Sequence, residues 1–242
     1  LKGIGAIMKC IIFAGGKGSR IRTDEDFTPK PLVKVGDMPI IWHIMKIYSH
    51  YGFKDFIICL GYRIDLFEEF FSTVNEDWNI KLVDTGLDTC TGGRLKKVEK
   101  YIDDEDFALT YADAVSDINI DNLIEYHKKH KKLLTLSVFK TKERFGIFEI
   151  KNNKIKNFRE KELRECEWVN GGYMIANKKI FSYLSEDSGP FESEVIERLM
   201  KTNDIVAYKY DGFWQCMDYR DEQRQLNKLI KNGKDVWRKW DE

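Results

Sequence analysis

The chain has 242 residues, and its 40 lysines and arginines balance 40 aspartates and glutamates. With no net charge, no overall field recruits nucleic acid or an anionic membrane, so we expect neither as a partner. No apolar run reaches the roughly eighteen residues of a membrane helix, and no leader is recognisable, so we expect a cytoplasmic protein. This length suits one large core, and we predict a single domain over 8–242, with residues 1–7 set aside.

The five cysteines are scattered and lack C-x-x-C spacing, which argues against a disulfide framework and against a zinc site. His127 and His130 lie three residues apart, on one face of a predicted helix. Because no third ligand is recognisable nearby, a solvated helix face is favoured over a metal site.

The run Cys10 to Phe13 is apolar throughout and predicts a strand buried on both faces of a parallel sheet. The next segment, 14–20, reads AGGKGSR and has little side-chain bulk and two cations. Glycines let a backbone approach a ligand closely, and successive N–H groups form an anion site. We interpret the segment as a triphosphate cradle, although a tight strand-to-helix turn would also explain its glycines. Its spacing matches neither the Rossmann fingerprint nor the P-loop.

Lys30 stands between two prolines in the segment 28–32, which reads TPKPL. Prolines restrict the backbone, so this lysine would lose little entropy on binding an anion. Together, G-G-x-G-[ST]-R and P-K-P-L resemble the signature of nucleotidyltransferases that form sugar nucleotides. The resemblance implies that Arg20 and Lys30 are catalytic. It also implies nucleotide contacts from Ala14, Gly15, Gly16, Gly18 and Ser19.

Apolar runs alternate with amphipathic segments as far as residue 140. We predict strands at 56–60, 80–83, 107–111 and 133–139, the last being the final parallel strand of the core. Helices are predicted at 40–48, 64–71 and near 122–130, with Asp37 and Asp117 as caps of the first and third. This alternation predicts an α/β fold: a doubly wound, mostly parallel, Rossmann-like sheet flanked by helices. Residues 8–140 would form the nucleotide-binding half and 141–242 the acceptor-binding and C-terminal half.

The loop 84–94 follows a predicted strand, at the sheet edge where open α/β folds bind ligands. Its pattern T-G-x-x-T-x-T-G-G-R-L resembles one in glucose-1-phosphate cytidylyltransferases. The resemblance implies that the loop faces a cytosine base and that the nucleotide is CTP. Arg94 would either hold the triphosphate or support the loop. Further nucleotide contacts are assigned to Thr85, Gly86, Gly92 and Ala112.

Two aspartates follow strand-like segments. Asp113 comes after the predicted strand 107–111, and Asp218 ends the motif GFWQCMD at 212–218. Carboxylate oxygens suit Mg²⁺, although from its position alone Asp113 could equally cap a turn. In the resembling family these positions hold the metal, so Asp113 and Asp218 are the predicted Mg²⁺ ligands.

The second half changes character near residue 145, where alternation around the turn 151–153 predicts a hairpin and a small β-rich subdomain. The motif Glu160-Lys161 follows, and then Asn170-Gly171. In the resembling family these motifs line the acceptor pocket, with the lysine on the acceptor phosphate. Without that resemblance, Lys161 would be interpreted as a solvated lysine.

Beyond these motifs we predict a helix at 192–200, a strand at 205–210 and a final helix at 221–231. The final helix would cover the sheet or form a subunit contact in a homo-oligomer.

The resemblance implies transfer of CMP from CTP to a phosphorylated small molecule, with release of pyrophosphate. The chain departs from glucose-1-phosphate enzymes at Ala112 and Ala114, where glycine is usual, at Glu162, where proline is usual, and in a shorter segment 71–80. These departures resemble the CTP:phosphoglutamine cytidylyltransferase of capsular phosphoramidate synthesis. We therefore predict phosphoglutamine as the acceptor, ahead of glucose 1-phosphate.

A non-enzyme alternative is a nucleotide-binding regulatory module that has kept the fold and lost turnover. Such a module would be expected to lose Lys30, Asp113 or Asp218, and all three are present.

Overall fold

The computed structural model describes residues 8–16, 18, 21, 27–140, 147–151, 154–159 and 168–240, with the backbone alone for 147–151 and 154–159. Four predicted site residues lie outside this part: Ser19, Arg20, Glu160 and Lys161. No helix of the described residues is long and apolar enough to cross a membrane.

Within the described residues, seven strands form the central sheet. In spatial order they are β12 (Ile205–Tyr210), β8 (Leu134–Lys140), β11 (Trp168–Asn177), β6 (Asp106–Tyr111), β1 (Cys10–Phe13), β4 (Asp55–Leu60) and β5 (Asn79–Asp84). Neighbouring strands pair in parallel, except that β11 runs antiparallel to both β6 and β8. The prediction of a mostly parallel sheet is confirmed.

The prediction that 133–139 forms the last parallel strand was wrong, because β12 pairs in parallel with β8 at the edge of the sheet. Its side chains are half-buried or exposed, as expected of an edge strand. Such a strand lacks the continuous apolar run that identifies a central parallel strand.

Short antiparallel pairs accompany the central sheet. They are β2 (Lys34–Val35) with β3 (Met38–Pro39), β7 (Ala114–Ser116) with β13 (Trp214–Cys216), and β9 (Ile147–Lys151) with β10 (Lys154–Arg159). The β9–β10 pair is the predicted hairpin, and it confirms a small β-rich unit in the second half.

The α-helices are α1 (Ile40–His50), α2 (Ile64–Thr73), α3 (Thr91–Lys97), α4 (Ile120–His130), α5 (Glu197–Thr202) and α6 (Arg220–Lys231). A π-helical turn, Glu192–Ile196, precedes α5 and occupies the start of the predicted helix 192–200.

Both predicted helix caps were wrong. Asp37 lies in the turn between β2 and β3, and α1 begins after Pro39 with no side-chain cap. In α4 the cap is Asn119, whose side chain accepts a hydrogen bond from the Asn122 N–H at 2.9 Å. Asp117 instead accepts from the backbone N–H of Phe213 at 2.8 Å, because it lies beside β13 and not at the helix start.

The central strands are buried on both faces, as predicted for β1. Cys10 and Ile12 point into one core, which α1 and α4 cover, while Ile11 and Phe13 point into the other, which α3 helps to cover. Helices thus cover both faces of the central strands. The carboxyl ends of β1, β4, β5 and β6 therefore meet at one edge and carry the loops after residues 13, 60, 84 and 111.

The histidine and cysteine expectations can be compared with the fold. His127 is buried, with Nδ1 at 2.8 Å from the Thr135 hydroxyl, so its side of α4 packs on the sheet and the expectation of a solvated face was wrong for this residue. Among the described residues, no group of three or more His, Cys, Asp or Glu side chains is placed to hold a metal. The cysteines of this part form no disulfide.

Candidate active site

The pair β7–β13 brings the two predicted metal ligands together. Asp113 directly precedes β7, and Asp218 follows β13 by two residues. Cys216 pairs with Ala114, and the backbone N–H of Met217 donates to the Asp113 carbonyl at 2.8 Å. Two carboxylates from distant parts of the chain are thus held at one point by backbone pairing.

Lys30 lies between these carboxylates. Its Nζ is 2.8 Å from Asp113 Oδ2 and 2.5 Å from Asp218 Oδ1, and its side chain is only 12% exposed. Burial acts to lower the pKa of Lys30, but the charges and hydrogen bonds of the two carboxylates outweigh burial and raise it. Lys30 is therefore a cation at neutral pH, held in a partly dehydrated site where its charge acts strongly.

Glu222 fixes the backbone beside Asp218, a role that we did not predict from the sequence. Its Oε2 accepts from the N–H of Asp218 at 2.5 Å and from the N–H of Tyr219 at 3.0 Å, and the residue is only 8% exposed. This arrangement is one half of a capping box at the start of α6. A Glu three residues after the cap position was the signal available in the sequence.

The glycine-rich loop runs alongside Lys30. Gly18 has φ of +61°, and a Cβ added there would lie 2.6 Å from the Lys30 Cβ. Only glycine accommodates both the conformation and this close approach. The ammonium, the loop and the two carboxylates share one cavity of about 190 Å³, which is lined by Phe13, Ala14, Gly16, Gly18, Lys30, Pro31, Tyr111, Ala112, Asp113 and Asp218.

Arg94 joins the glycine-rich loop to the loop 84–94. Its Nη2 donates to the carbonyls of Gly15 and Leu87 at 3.2 and 3.1 Å, and its Nη1 donates to Leu60 O and Thr85 Oγ1 at 2.8 and 2.6 Å. The side chain is buried, and burial lowers its pKa. A Cβ on Gly15 would lie 2.1 Å from Nη1, so this glycine makes room for the guanidinium. These contacts favour loop support among the two predicted roles, and contact with a nucleotide stays a prediction.

The other residues assigned to the nucleotide in this loop also make internal contacts. The N–H groups of Thr85 and Gly86 donate to Leu60 O at 2.9 Å and to Asp84 Oδ1 at 2.8 Å. Gly92 is buried, and its N–H donates to the Gly189 carbonyl at 3.0 Å. These bonds explain the loop's shape, and base recognition by these three residues stays a prediction.

The predicted acceptor motif packs against the cavity wall. Asn170 Oδ1 accepts from the N–H of Gly172 at 2.8 Å, within an irregular stretch of β11. Gly172 has φ of +80°, and a Cβ there would lie 2.9 Å from Tyr111 Cδ2. Gly171 accepts from Trp214 Nε1 at 2.8 Å, which ties the motif to β13. The structure thus brings Asn170 and Gly171 beside the residues that lie around Asp113.

The two aspartates fit a magnesium ion by their chemistry. Their oxygens lie within 2.8 Å of a shared point, the position of Lys30 Nζ, and hard carboxylate oxygens are suitable ligands. Mg²⁺ commonly takes one or two carboxylates and completes its shell with substrate phosphates and water. A pair of carboxylates is therefore a sufficient protein contribution.

A doubly wound sheet whose carboxyl edge joins a glycine-rich loop, a buried lysine and two carboxylates suited to a metal is the architecture of a nucleotidyltransferase. The chain belongs to the nucleotidyl transferase family, whose sequence profile matches residues 9–221. It is 37% identical to the glucose-1-phosphate cytidylyltransferase of Salmonella typhimurium, over 97% of this chain and 100% of that protein. It is 34% identical to the probable glucose-1-phosphate cytidylyltransferase of Bacillus subtilis, over 96% and 100% of the two chains.

Solved structures share the fold at lower identity. HddC from Yersinia pseudotuberculosis superposes with a TM-score of 0.73 at 19% identity, over 93% of this chain and 100% of that chain. An apo UDP-glucose pyrophosphorylase gives a TM-score of 0.73 at 16% identity, over 94% and 99% of the two chains. The Rossmann-like fold predicted from the sequence is confirmed.

Proposed function

We propose that this protein is a CTP-dependent cytidylyltransferase that converts CTP and glucose 1-phosphate into CDP-glucose and pyrophosphate. The observation that carries the proposal is 37% identity to a glucose-1-phosphate cytidylyltransferase across 97% of the chain. The convergence of Lys30, Asp113 and Asp218 within hydrogen-bonding distance supports an active enzyme.

The acceptor preferred from the sequence, phosphoglutamine, has less support than glucose 1-phosphate. That preference rested partly on two extra methyl groups near the metal site, those of Ala112 and Ala114. Ala112 lines the cavity. Ala114 lies in β7 outside the cavity lining, buried, with its carbonyl accepting from the Tyr173 hydroxyl at 2.9 Å. Only Ala112 of the two therefore lines the cavity, which weakens the argument against a hexose, and Glu162 lies outside the described residues.

The reaction requires positioning and charge stabilisation more than proton transfer. An oxygen of the acceptor phosphate forms a bond to the α-phosphorus of CTP, the bond from that phosphorus to the α–β bridging oxygen breaks, and pyrophosphate leaves with the electron pair. A phosphate monoester has a second pKa of about 6, so the attacking oxygen is already ionised at pH 7. No general base is required.

The described residues supply the two requirements. Lys30 places a fixed positive charge beside the phosphate-binding loop, where it would stabilise the charge that develops on the triphosphate. Asp113 and Asp218 would hold Mg²⁺, which when bound neutralises triphosphate charge and helps to align the phosphates. The glycine-rich loop leaves room for phosphate oxygens beside its backbone, as at Gly16, where a Cβ would meet no atom within 4 Å.

The test is a pyrophosphate-release assay with Mg²⁺ and each of CTP, UTP, dTTP and ATP, against glucose 1-phosphate, other hexose 1-phosphates and phosphoglutamine. We expect the highest kcat/KM for CTP with glucose 1-phosphate, and a product with the mass of CDP-glucose. The Lys30→Ala variant, purified identically, controls for contaminating host enzymes. Turnover of phosphoglutamine without turnover of any hexose 1-phosphate would contradict the proposal.

A further inference from the structure

A carboxylate that the reaction above does not use is hydrogen-bonded to a residue that lines the active-site cavity. Glu192 begins the π-helical turn before α5, and its Oε1 accepts a hydrogen bond from the Tyr111 hydroxyl. Tyr111 lines the cavity and stands two residues before Asp113. Glu192 is exposed, and Tyr111 is its only side-chain partner within the described part of the chain. Among the described residues, no hydrogen-bond donor reaches its second oxygen, Oε2.

The Tyr111 ring also lies beside the predicted acceptor motif. Gly172 has a positive φ, and its backbone approaches the Tyr111 ring so closely that a Cβ would lie 2.9 Å from Tyr111 Cδ2. The Tyr111 hydroxyl donates to Glu192 Oε1, so the two side chains form one hydrogen-bonded pair.

Separate contacts hold the residue that precedes Glu192. Phe191, immediately before Glu192, donates its N–H to the Thr91 hydroxyl at 2.8 Å, and its ring lies 6.3 Å from that of Phe13, centroid to centroid. Phe13 in turn contacts the Tyr111 ring at 5.7 Å. The residue before Glu192 thus packs on two aromatic residues that line the cavity, Phe13 directly and Tyr111 through Phe13.

We infer that Glu192, held by Tyr111, is a specificity-determining residue that accepts a hydrogen bond from a hydroxyl group of the acceptor. The inference rests on the proposed function and deepens it, because it assigns the acceptor to polyhydroxylated phosphates such as hexose 1-phosphates. A fixed carboxylate is a strong acceptor for an O–H group. The same charge disfavours an acceptor that presents a carboxylate of its own.

The test measures kcat and KM for glucose 1-phosphate and for its 2-, 3-, 4- and 6-deoxy derivatives, in the wild type and in Glu192→Gln. The amide keeps the size of the side chain and removes its charge. We expect kcat/KM for glucose 1-phosphate to fall about 10- to 100-fold, mainly through KM, with the CTP dissociation constant from direct titration unchanged. For one deoxy derivative, kcat/KM with the wild type should already be low and should not fall further with Glu192→Gln. That derivative identifies the hydroxyl that the carboxylate contacts.

Two further variants complete the design. Glu197→Gln removes another exposed charge five residues later and should behave like the wild type. Tyr111→Phe keeps the ring and removes the donor, so it should reproduce the loss of selectivity in weaker form. Equal penalties on every derivative, or a parallel loss of CTP affinity, would overturn the inference while turnover of glucose 1-phosphate by the wild type upholds the proposed function. If the wild type transfers CMP only to phosphoglutamine, both the proposed function and the inference about Glu192 are wrong.

Discussion

The Lys30 ammonium lies 2.5 Å from the Asp218 carboxylate, although the two residues are 188 positions apart in the chain. The contact joins the segment after the glycine-rich loop to the turn before α6, so distant parts of the sequence meet at the candidate active site. Charge-assisted hydrogen bonds of this kind are short and strong when partly buried. The same geometry joins the lysine and the two carboxylates in one group of contacting charges.

Lys30→Ala should lower kcat by on the order of 10²–10³, or about 3 to 4 kcal/mol, with CTP binding less affected. The reason is that the ammonium stabilises charge that increases during transfer. Single-turnover kinetics and CTP titration separate the two effects. Lys34→Ala, an exposed lysine four residues later, is the matched control. A variant that loses CTP affinity as much as it loses rate would show that Lys30 serves ground-state binding.

Asp113→Asn and Asp218→Asn should each reduce kcat by on the order of 10²–10³ and increase the Mg²⁺ concentration needed for half-maximal rate. Asparagine keeps the side-chain shape, so thermal unfolding should still be cooperative. Asp211→Asn, an exposed aspartate near the end of β12, controls for loss of charge alone. A near-normal rate for Asp218→Asn at limiting Mg²⁺ would assign Asp218 to structure and not to the metal.

Glu222→Ala should destabilise the fold by about 1 to 2 kcal/mol, because two backbone N–H groups lose their acceptor. It should also increase the Mg²⁺ requirement, since one of those groups belongs to Asp218. Urea unfolding and a Mg²⁺ titration of the rate measure the two effects. Asp221→Ala, exposed on the same helical turn, should do neither. If stability fell while the Mg²⁺ requirement stayed the same, Glu222 would act only as a helix cap.

His43 gives the protein an acid-sensitive core contact. It is buried, its Nε2 lies 2.8 Å from Val35 O, and its Nδ1 accepts from Trp237 Nε1 at 3.4 Å. Burial lowers its pKa from 6.5 to about 4, despite a hydrogen bond to Val35 that acts in the opposite direction. Between these two pH values the unfolded chain binds a proton that the folded chain does not, so stability is lost as pH falls from 6.5 to about 4.

The full loss from His43 is about 3 kcal/mol, spread over that interval. Urea unfolding at pH values from 7.5 to 4.5 should show the decline in the wild type. His43→Asn should lower stability at neutral pH and flatten the decline. An unchanged pH slope in the variant would assign the acid sensitivity to other groups.

The parts of the fold that local pattern determines could be predicted from the sequence. The apolar run that begins at Cys10 predicts a buried strand, and the helical periodicity of α1 predicts a helix. The prolines on either side of Lys30 predict a conformationally restricted cation. The place of β11 could not be predicted in the same way, since its direction and neighbours depend on pairing with β6 and β8. Asp117 shows the same limit, because its partner Phe213 is distant in sequence.

The candidate site also combines residues that the sequence predicts with residues that only the fold brings together. Asp113 and Asp218 could be singled out from the sequence because each follows an apolar segment and matches a motif, and their role as metal ligands stays a prediction. The function of Arg94 was left open because an arginine after two glycines can equally contact a phosphate or backbone carbonyls. Only the fold shows that its guanidinium donates to Leu60, Gly15 and Leu87. Tyr111 and Glu192 were missed because their pairing requires two segments 81 residues apart to meet.

The central claim is that CMP moves from CTP to the phosphate of glucose 1-phosphate, and isotope tracing tests it most directly. The enzyme is incubated with Mg²⁺, unlabelled glucose 1-phosphate and CTP labelled with ³²P at either the α or the γ phosphate. The account predicts that α-label appears in CDP-glucose and γ-label appears only in pyrophosphate, with neither product formed by Lys30→Ala above about one hundredth of the wild-type rate. Transfer of γ-label to the sugar, or α-label that enters no CDP-hexose, would contradict it.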